Sequence, residues 1–447
     1  MNATARSTLA LVFGGGNALV AFGAGAFAAV AEARLEPDHV AGASAGAVTA
    51  VLVAGNPPER RVAALRAFWD AVAAPAGEAS WMGEGWRRMV QALDGAQARL
   101  LGRPGMFHPR PHAMLDPSAP LGLYDLAPLR QTLAGLVDLA LLNDGPMRVS
   151  LLAVDLRTGE EVVFDNRAGR LELDHVLASC ALLPNFPPVA IDGRLLVDGG
   201  LAANVPAHLV LDPPRDDLVC LAIDPFPLAA DPPATLQEAQ QRQQDLLFAS
   251  QTRRTLEALA GRWALEARLA PDRPPRGMAW RVEYPSRVGE TALKGFDFGA
   301  AALDRRWQEG QRCAAAALAA WAGWRRPGRG WSCAGRRRDW RGSCPGRKQG
   351  WALPRPAKGL RLLDTHPSSK ESRGWPSCQA GWQESCLAEG QGLTLNPPTN
   401  AAWVRDRNLR QELASGPSGT RSRICRVEVF VRVLVAGTGF EPVTFRL

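Results

Sequence analysis

The sequence predicts an α/β layered fold with a mostly parallel sheet, followed by a tail with no core of its own. Short apolar runs alternate with longer helical stretches along residues 9–324, the pattern of strands joined by crossover helices. The first two runs each lead through a glycine-containing turn into alanine-rich sequence. After residue 324 this periodicity ends and the charge changes sign. The 447 residues carry a net charge of +8, yet residues 325–447 hold 22 basic against 9 acidic side chains, and residues 1–324 hold 30 against 35. A mildly acidic body thus carries a basic tail. The overall charge is no evidence for nucleic-acid binding by the folded part, and no specific nucleic-acid partner is expected.

The elements follow in order. Leu9–Phe13 reads as a buried strand, Gly14-Gly15-Gly16-Asn17 as a tight turn and Ala18–Leu35 as a helix, because glycine tolerates positive φ and alanine favours helix. Glu36-Pro37-Asp38 turns the chain into a short strand, His39–Ala41. Gly42-Ala43-Ser44-Ala45-Gly46 follows, then a helix over Ala47–Ala54. Asn56-Pro57-Pro58 reads as the start of a helix running to about Ala73, with Asn56 as N-cap and proline in the first turn. Ala74–Leu121, rich in Gly and Pro and carrying Trp81, Met82, Trp86, Met89, Met106 and Phe107, reads as a variable, partly helical segment over one face of the core, either packed ordinarily against it or, as the alternative, a lid or membrane-touching surface.

Regular patterning resumes with a helix near Asp125–Leu141, strands at Met147–Val154 and Glu161–Phe164, and a helix at Asp174–Ala181. Asp192-Gly193 is a hairpin signal between Val189–Ile191 and Leu195–Val197. A strand at Leu218–Ile223, a long helix within Leu236–Leu269, a strand near Met278–Tyr284 and a helix over Phe298–Ala322 complete the body. In residues 325–447, Trp, Cys, Arg, Gly and Pro are scattered, with one late apolar run over Val427–Val435. Low apolar density and high charge disfavour a packed core, so this tail is expected to be disordered or unselected translation, with a basic lipid- or nucleic-acid-binding extension as the alternative.

No apolar run reaches the roughly 20 residues of a bilayer span. Leu9–Val30 is broken by glycines and Asn17 and lacks a basic leader and cleavage site. The expected location is the cytoplasm, peripheral at most to the inner face of the membrane. Cys180, Cys220 and Cys313 are isolated in the body, which suits a reducing compartment. The tail cysteines have no zinc spacing, and no metal and no cofactor are expected.

Three features could do chemistry. Gly42-Ala43-Ser44-Ala45-Gly46 is a GxSxG motif between an apolar strand and an alanine-rich helix. A sharp strand-to-helix turn there holds the serine outward and aims the helix's amides at developing charge. Asp198-Gly199-Gly200 directly follows a strand, where a carboxylate can reach a site over the sheet edge; taken alone, it reads first as a common Asp-Gly turn. Gly14-Gly15-Gly16-Asn17 makes an anion-binding concavity of backbone N–H groups. A dinucleotide site would need GxGxxG, and Gly14-Gly15-Gly16-Asn17-Ala18-Leu19 lacks the last glycine. Serine needs a base, and none of His39, His108, His112, His175 and His208 sits in a turn or motif that recommends it.

Together these motifs resemble the patatin-like phospholipases. The similarity continues through Ala54–Val62 with Phe68-Trp69, Arg157-Thr158-Gly159 with Phe164-Asp165-Asn166, Ala178-Ser179 with Leu183-Pro184 and Phe186-Pro187-Pro188, and Val197–Leu201 with Asn204-Val205-Pro206. It covers about residues 9–324. The resemblance implies a three-layer α/β/α patatin-like domain over 1–324 and a Ser–Asp dyad. Ser44 would attack a phospholipid or other fatty-acyl ester, Asp198 would accept its proton, and the turn Gly15, Gly16 and Asn17 would hold the oxyanion. Gly42, Gly46, Gly199 and Gly200 would frame the two catalytic groups. The family's glycine turn is usually GGGx(R/K)G; here Asn17 stands at its third glycine, Leu19 at the basic position and Val20 at the last glycine.

Competing readings are an inactive patatin-like lipid-binding protein, an acyltransferase on the same site, and an α/β-hydrolase. In the last fold the nucleophile follows several strands, whereas Ser44 follows two, though Asp198 with His208 keeps the Ser, Asp, His order formally open.

Overall fold

A computed structural model of the chain describes residues 7–74, 84–111, 113, 121–213, 218–270, 277–285, 290, 293–324, 431–435 and 439–443. Most of the tail lies outside the described residues, as do Trp81, Met82 and His112 of the variable segment. The described residues belong to one compact unit.

The first half runs β1 (Thr8–Phe13), α1 (Ala21–Glu32), β2 (His39–Ala43), α2 (Ala45–Ala54), α3 (Arg61–Val72), α4 (Glu84–Leu101), α5 (Ala127–Leu136) and α6 (Leu139–Asp144). Next come β3 (Arg148–Asp155), β4 (Glu161–Asp165), α7 (Leu173–Cys180), β5 (Val189–Ile191), β6 (Arg194–Asp198) and α8 (His208–Leu211). The body closes with β7 (Leu218–Asp224), α9 (Leu236–Leu269), β8 (Gly277–Glu283) and α10 (Ala300–Trp324). In the tail, β9 (Val431–Val435) and β10 (Gly439–Val443) form a hairpin, the first strand ending the apolar run seen in the sequence.

These strands build one sheet in the order β10-β9-β8-β7-β1-β2-β3-β6-β5, with β4 also paired to β3. From β9 to β3 every neighbouring pair is parallel; β6 and β4 run antiparallel to β3. The predicted mixed α/β architecture with a mostly parallel sheet is borne out. Alternate residues of β1 show the layers. Leu9, Leu11 and Phe13 pack into a core with α1, α2 and α10, while Ala10 and Val12 pack with Val210 of α8 and Leu256 and Trp263 of α9. Covering both faces is why the central strands read as continuous apolar runs and not as alternating ones.

Register carries two loops to the same end of the sheet. Ala43, the last residue of β2, pairs with Leu152 of β3, and the next residue, Ala153, pairs with Asp198 at the end of β6. The antiparallel β6 enters from beyond the sheet's carboxyl edge, so its last residue stops level with the point where β2 gives way to α2.

Two local expectations fail for identifiable reasons. Asn56 does not cap the next helix, which begins at Arg61. Its amide instead donates to Leu52 O at 2.9 Å and Leu136 O at 2.8 Å, joining the end of α2 to the end of α5. The helix expected over Asp125–Leu141 is two helices, because the Asp138 carboxylate accepts from the Ala140 and Leu141 N–H groups and starts a new one. Asn56→Asp keeps the shape but cannot donate, so it should lower the free energy of unfolding in urea by about 1–3 kcal/mol. Unchanged stability would show that the amide bridge contributes nothing.

Candidate active site

Ser44 sits at the joint between β2 and α2 with φ 56° and ψ −134°, a region sparsely populated by residues other than glycine. A serine in this N-terminal position ordinarily caps its helix through Oγ. Here no side-chain cap bond forms, and the serine lines a cavity instead. The motif glycines make the turn sterically feasible. A methyl on Gly42 would meet Gly46 O at 2.4 Å, and one on Gly46 would meet Phe13 O at 2.1 Å. The Ser44 N–H is held by Ser179, whose carbonyl and hydroxyl oxygens both lie 3.1 Å away; the Ser179 hydroxyl donates in turn to Leu152 O at 2.6 Å.

Asp198 lines the same cavity and is 1% exposed. Its Oδ1 accepts the Gly200 N–H at 2.7 Å, whereas the buried Oδ2 has no hydrogen-bond partner among the described residues. Burial pushes this carboxyl up to about 7, with the nearby Ser44 hydroxyl and the Gly200 N–H drawing it partly back. Such a group is a far stronger proton acceptor than an ordinary aspartate, and near neutrality it is still partly ionised. Gly199 packs its Cα against Leu152 O, where a side chain would collide at 2.2 Å, and this contact fixes the turn after Asp198.

The glycine turn closes the third side. Gly16 has φ 149° and Asn17 φ 55°, and both line the cavity. Among the described residues neither of their N–H groups donates a hydrogen bond. Gly15 differs from the expectation that it joins them: its N–H already donates to Asn204 O at 3.2 Å, so its part is to anchor the turn. Leu19 and Val20, at the departures from the usual turn, are buried in the core, each 1% exposed.

The remaining wall is mostly apolar, including Val48, Leu129, Phe107, Phe186, Phe226 and Phe296, with Asn185, Asn204 and Gln244 as its polar members, around a space of about 130 Å³. Sequence reasoning named Phe107 and Phe186 without placing them in a cavity, and singled out neither Phe226 nor Phe296. Phe107, Phe226 and Phe296 come from segments more than 65 residues apart that no motif connects, although Asn204 was visible in Asn204-Val205-Pro206. The Cys180 thiol also lines the cavity, held well above its usual range by burial and by the Asp198 charge. No described histidine lines it. His208 instead pairs with Glu161 at 2.9 Å, and His39 with Ser150 at 2.8 Å.

Residues 11–211 match the family model described as patatin-like phospholipase, so the resemblance read from the motifs is borne out over that span. Among solved structures, the chain is similar to VipD from Legionella pneumophila, at 14% identity over 71% of this chain and 67% of that one, with a TM-score of 0.35. It is also similar to the type III effector protein ExoU, at 14% identity over 70% of this chain and 53% of that one, with a TM-score of 0.27. The chain thus spans about half the length of ExoU.

The raised pKa of Asp198 makes stability depend on pH. In the unfolded chain the group titrates near about 3.9, so the folded protein binds the proton more tightly, and stability falls as pH rises from about 4 to about 7. Asp198→Asn removes that dependence. Its melting temperature should exceed the wild type's at pH 8, by a margin that shrinks toward pH 4. A constant margin across that range would mean that Asp198 is not held in its protonated form by burial.

Proposed function

We propose that this chain, whose residues 11–211 form its patatin-like phospholipase region, is a serine-dependent lipid acyl hydrolase working through Ser44 and Asp198. The observation that supports this most directly is that the two residues, remote in sequence, line one mostly apolar cavity beside a glycine turn whose Gly16 and Asn17 amides donate no hydrogen bond among the described residues.

The reaction follows from these groups. As Ser44 Oγ attacks the acyl carbonyl carbon, its proton passes to Asp198 Oδ2, the oxygen with no partner among the described residues. The carbonyl electrons move to the oxygen, and that oxyanion is held by the Gly16 and Asn17 N–H groups and the positive end of α2. Collapse of the tetrahedral intermediate breaks the bond to the alcohol. The departing oxygen takes the proton back from Asp198, leaving an acyl ester on Ser44. Water attacks this ester, gives a proton to Asp198, and the fatty acid leaves as Ser44 regains its proton. The aromatic wall takes the acyl chain, and burial of hydrocarbon there supplies the affinity.

α4 extends this reading to lipid in aggregated form. Met89, Leu93 and Leu100 are 43%, 60% and 68% exposed, and their spacing of four and eleven residues places them along one helical stripe. The inner side of α4 is tied to the cavity wall. The Tyr124 hydroxyl donates to Arg99 O at 2.7 Å, and the Tyr124 ring packs against Phe107 and Phe186. The exposed stripe is the surface we assign to peripheral contact with lipid. No helix among the described residues is long and apolar enough to cross a membrane.

Ser44→Ala and Asp198→Asn should each lower hydrolysis of phospholipid and of p-nitrophenyl butyrate by about 10³-fold or more while leaving the circular dichroism spectrum unchanged. The wild-type kcat/KM should rise as pH increases through about 7, because the base must be ionised. Hydrolysis that survives Ser44→Ala refutes the proposal. The double variant Leu93→Asp/Leu100→Asp should weaken binding to phosphatidylcholine–phosphatidylglycerol vesicles by about 10-fold and leave turnover of the soluble ester intact; unchanged vesicle binding removes the role given to α4.

A further inference from the structure

Asn204 is 2% exposed and stands where the glycine turn, the nucleophile and the base converge. It grips Gly15 from both sides: its backbone carbonyl accepts the Gly15 N–H at 3.2 Å, and its side-chain Nδ2 donates to Gly15 O at 3.2 Å. The need for a donor toward Gly15 O sets the orientation of the amide, so Oδ1 faces the opposite way. That oxygen faces Gly15 and Gly200, the glycines packed beside the two catalytic groups. A methyl on Gly15 would meet Asn204 Oδ1 at 3.0 Å and Ser44 Cβ at 2.6 Å, and one on Gly200 would meet Asn204 Oδ1 at 3.2 Å and Asp198 Oδ1 at 3.0 Å. The Asn204 backbone is itself fixed, its N–H donating to Gln251 Oε1 on α9 at 3.0 Å.

The three glycines of this turn, with φ 149° at Gly16, have no side chains to hold them, and glycine has the most backbone freedom to lose. The peptide before Gly16 must be fixed from outside if the Gly16 and Asn17 N–H groups are to point at one place. From this we infer that Asn204 is a positioning residue: by holding both polar groups of Gly15, it keeps the oxyanion turn in register with Ser44 and Asp198. The inference rests on the hydrolase reading above. It adds a residue outside the dyad whose effect falls on the transition state, because the turn contacts charge that exists only there.

The test uses the full-length protein, p-nitrophenyl butyrate, and the variants Asn204→Ala and Asn204→Asp. Asn204→Ala removes the side-chain tether. It should lower kcat by about 10²-fold, the penalty for an ångström-scale misplacement, with KM changed less than about threefold. Asn204→Asp keeps the shape but loses the donor and sets a second carboxylate beside Asp198. It should lower kcat similarly and also move the acidic limb of the pH profile to higher pH, since like charges disfavour ionisation. A residue that merely supported the fold would lower the melting temperature and the active fraction without separating kcat from KM or shifting the limb. Wild-type kcat in either folded variant overturns the assignment, as does a loss confined to the amount of folded protein. The two claims fail separately: turnover unaffected by Ser44→Ala defeats the hydrolase reading and this inference with it, while Ser44-dependent turnover that is indifferent to Asn204 defeats the positioning role alone.

Discussion

The left-handed backbone of Ser44 is the constraint on which the site depends. Holding a non-glycine residue in that region costs on the order of 1–3 kcal/mol, and it persists only where the surroundings over-determine it. The surroundings here do so. All ten residues of α2 are buried, the Gly46 backbone lies against Phe13 O, and the Ser44 N–H is held by Ser179. Relaxing φ to the negative, extended values of an ordinary N-cap would let the hydroxyl cap α2 and withdraw it from the cavity. The parallel sheet supplies the rigidity, and its register brings Asp198 to the level at which the strained turn delivers the serine.

The cavity's far wall depends on a second group of interactions, beyond the family-matched residues. Arg281 pairs with Asp224 at 2.7 Å and Glu283 at 2.9 Å in full burial, while the Asp224 and Glu283 carboxylates accept the Phe226 and Leu228 N–H groups. This fixes the loop that lays Phe226 over Gly16. Lys294 pairs with Asp245, and the Arg306 guanidinium donates to Lys294 O at 3.0 Å, Asp297 O at 2.8 Å and Ala18 O at 3.4 Å. One buried cation therefore links the end of the glycine turn to the segment carrying Phe296. Buried ion pairs of this kind add little net stability, and removing one partner is far more damaging than replacing both. Their contribution here is to shape: charged groups with several fixed acceptors hold two irregular segments in one arrangement.

The sequence carried the fold well where structure is local. The apolar runs, the glycine turn and the alanine-rich helices reappear with shifts of a few residues, and the long helix Leu236–Leu269 matches its expected ends. Ser44 and Asp198 were legible because a strand-end serine and a strand-end carboxylate each leave a short motif. Asn56 misled because a cap and a bridge between distant carbonyls look alike in one dimension. The aromatic wall and the tethers from Asn204 and Arg306 were illegible for the same reason: their partners lie many residues away, and only register and packing decide who meets whom. Gly15 illustrates the limit most sharply, since its place in the turn was evident and its engagement with Asn204 was not.

The central claim is that Ser44 is a nucleophile activated by a buried, partly ionised Asp198. The direct measurement is the rate of covalent labelling by a fluorophosphonate as a function of pH, with the modified residue located by peptide mass spectrometry. The account predicts a single adduct on Ser44, formed at a rate that rises with pH around an apparent pKa near 7 and collapses in Asp198→Asn. An adduct on another residue, or labelling of Ser44 at the same rate with and without the carboxylate, would contradict it.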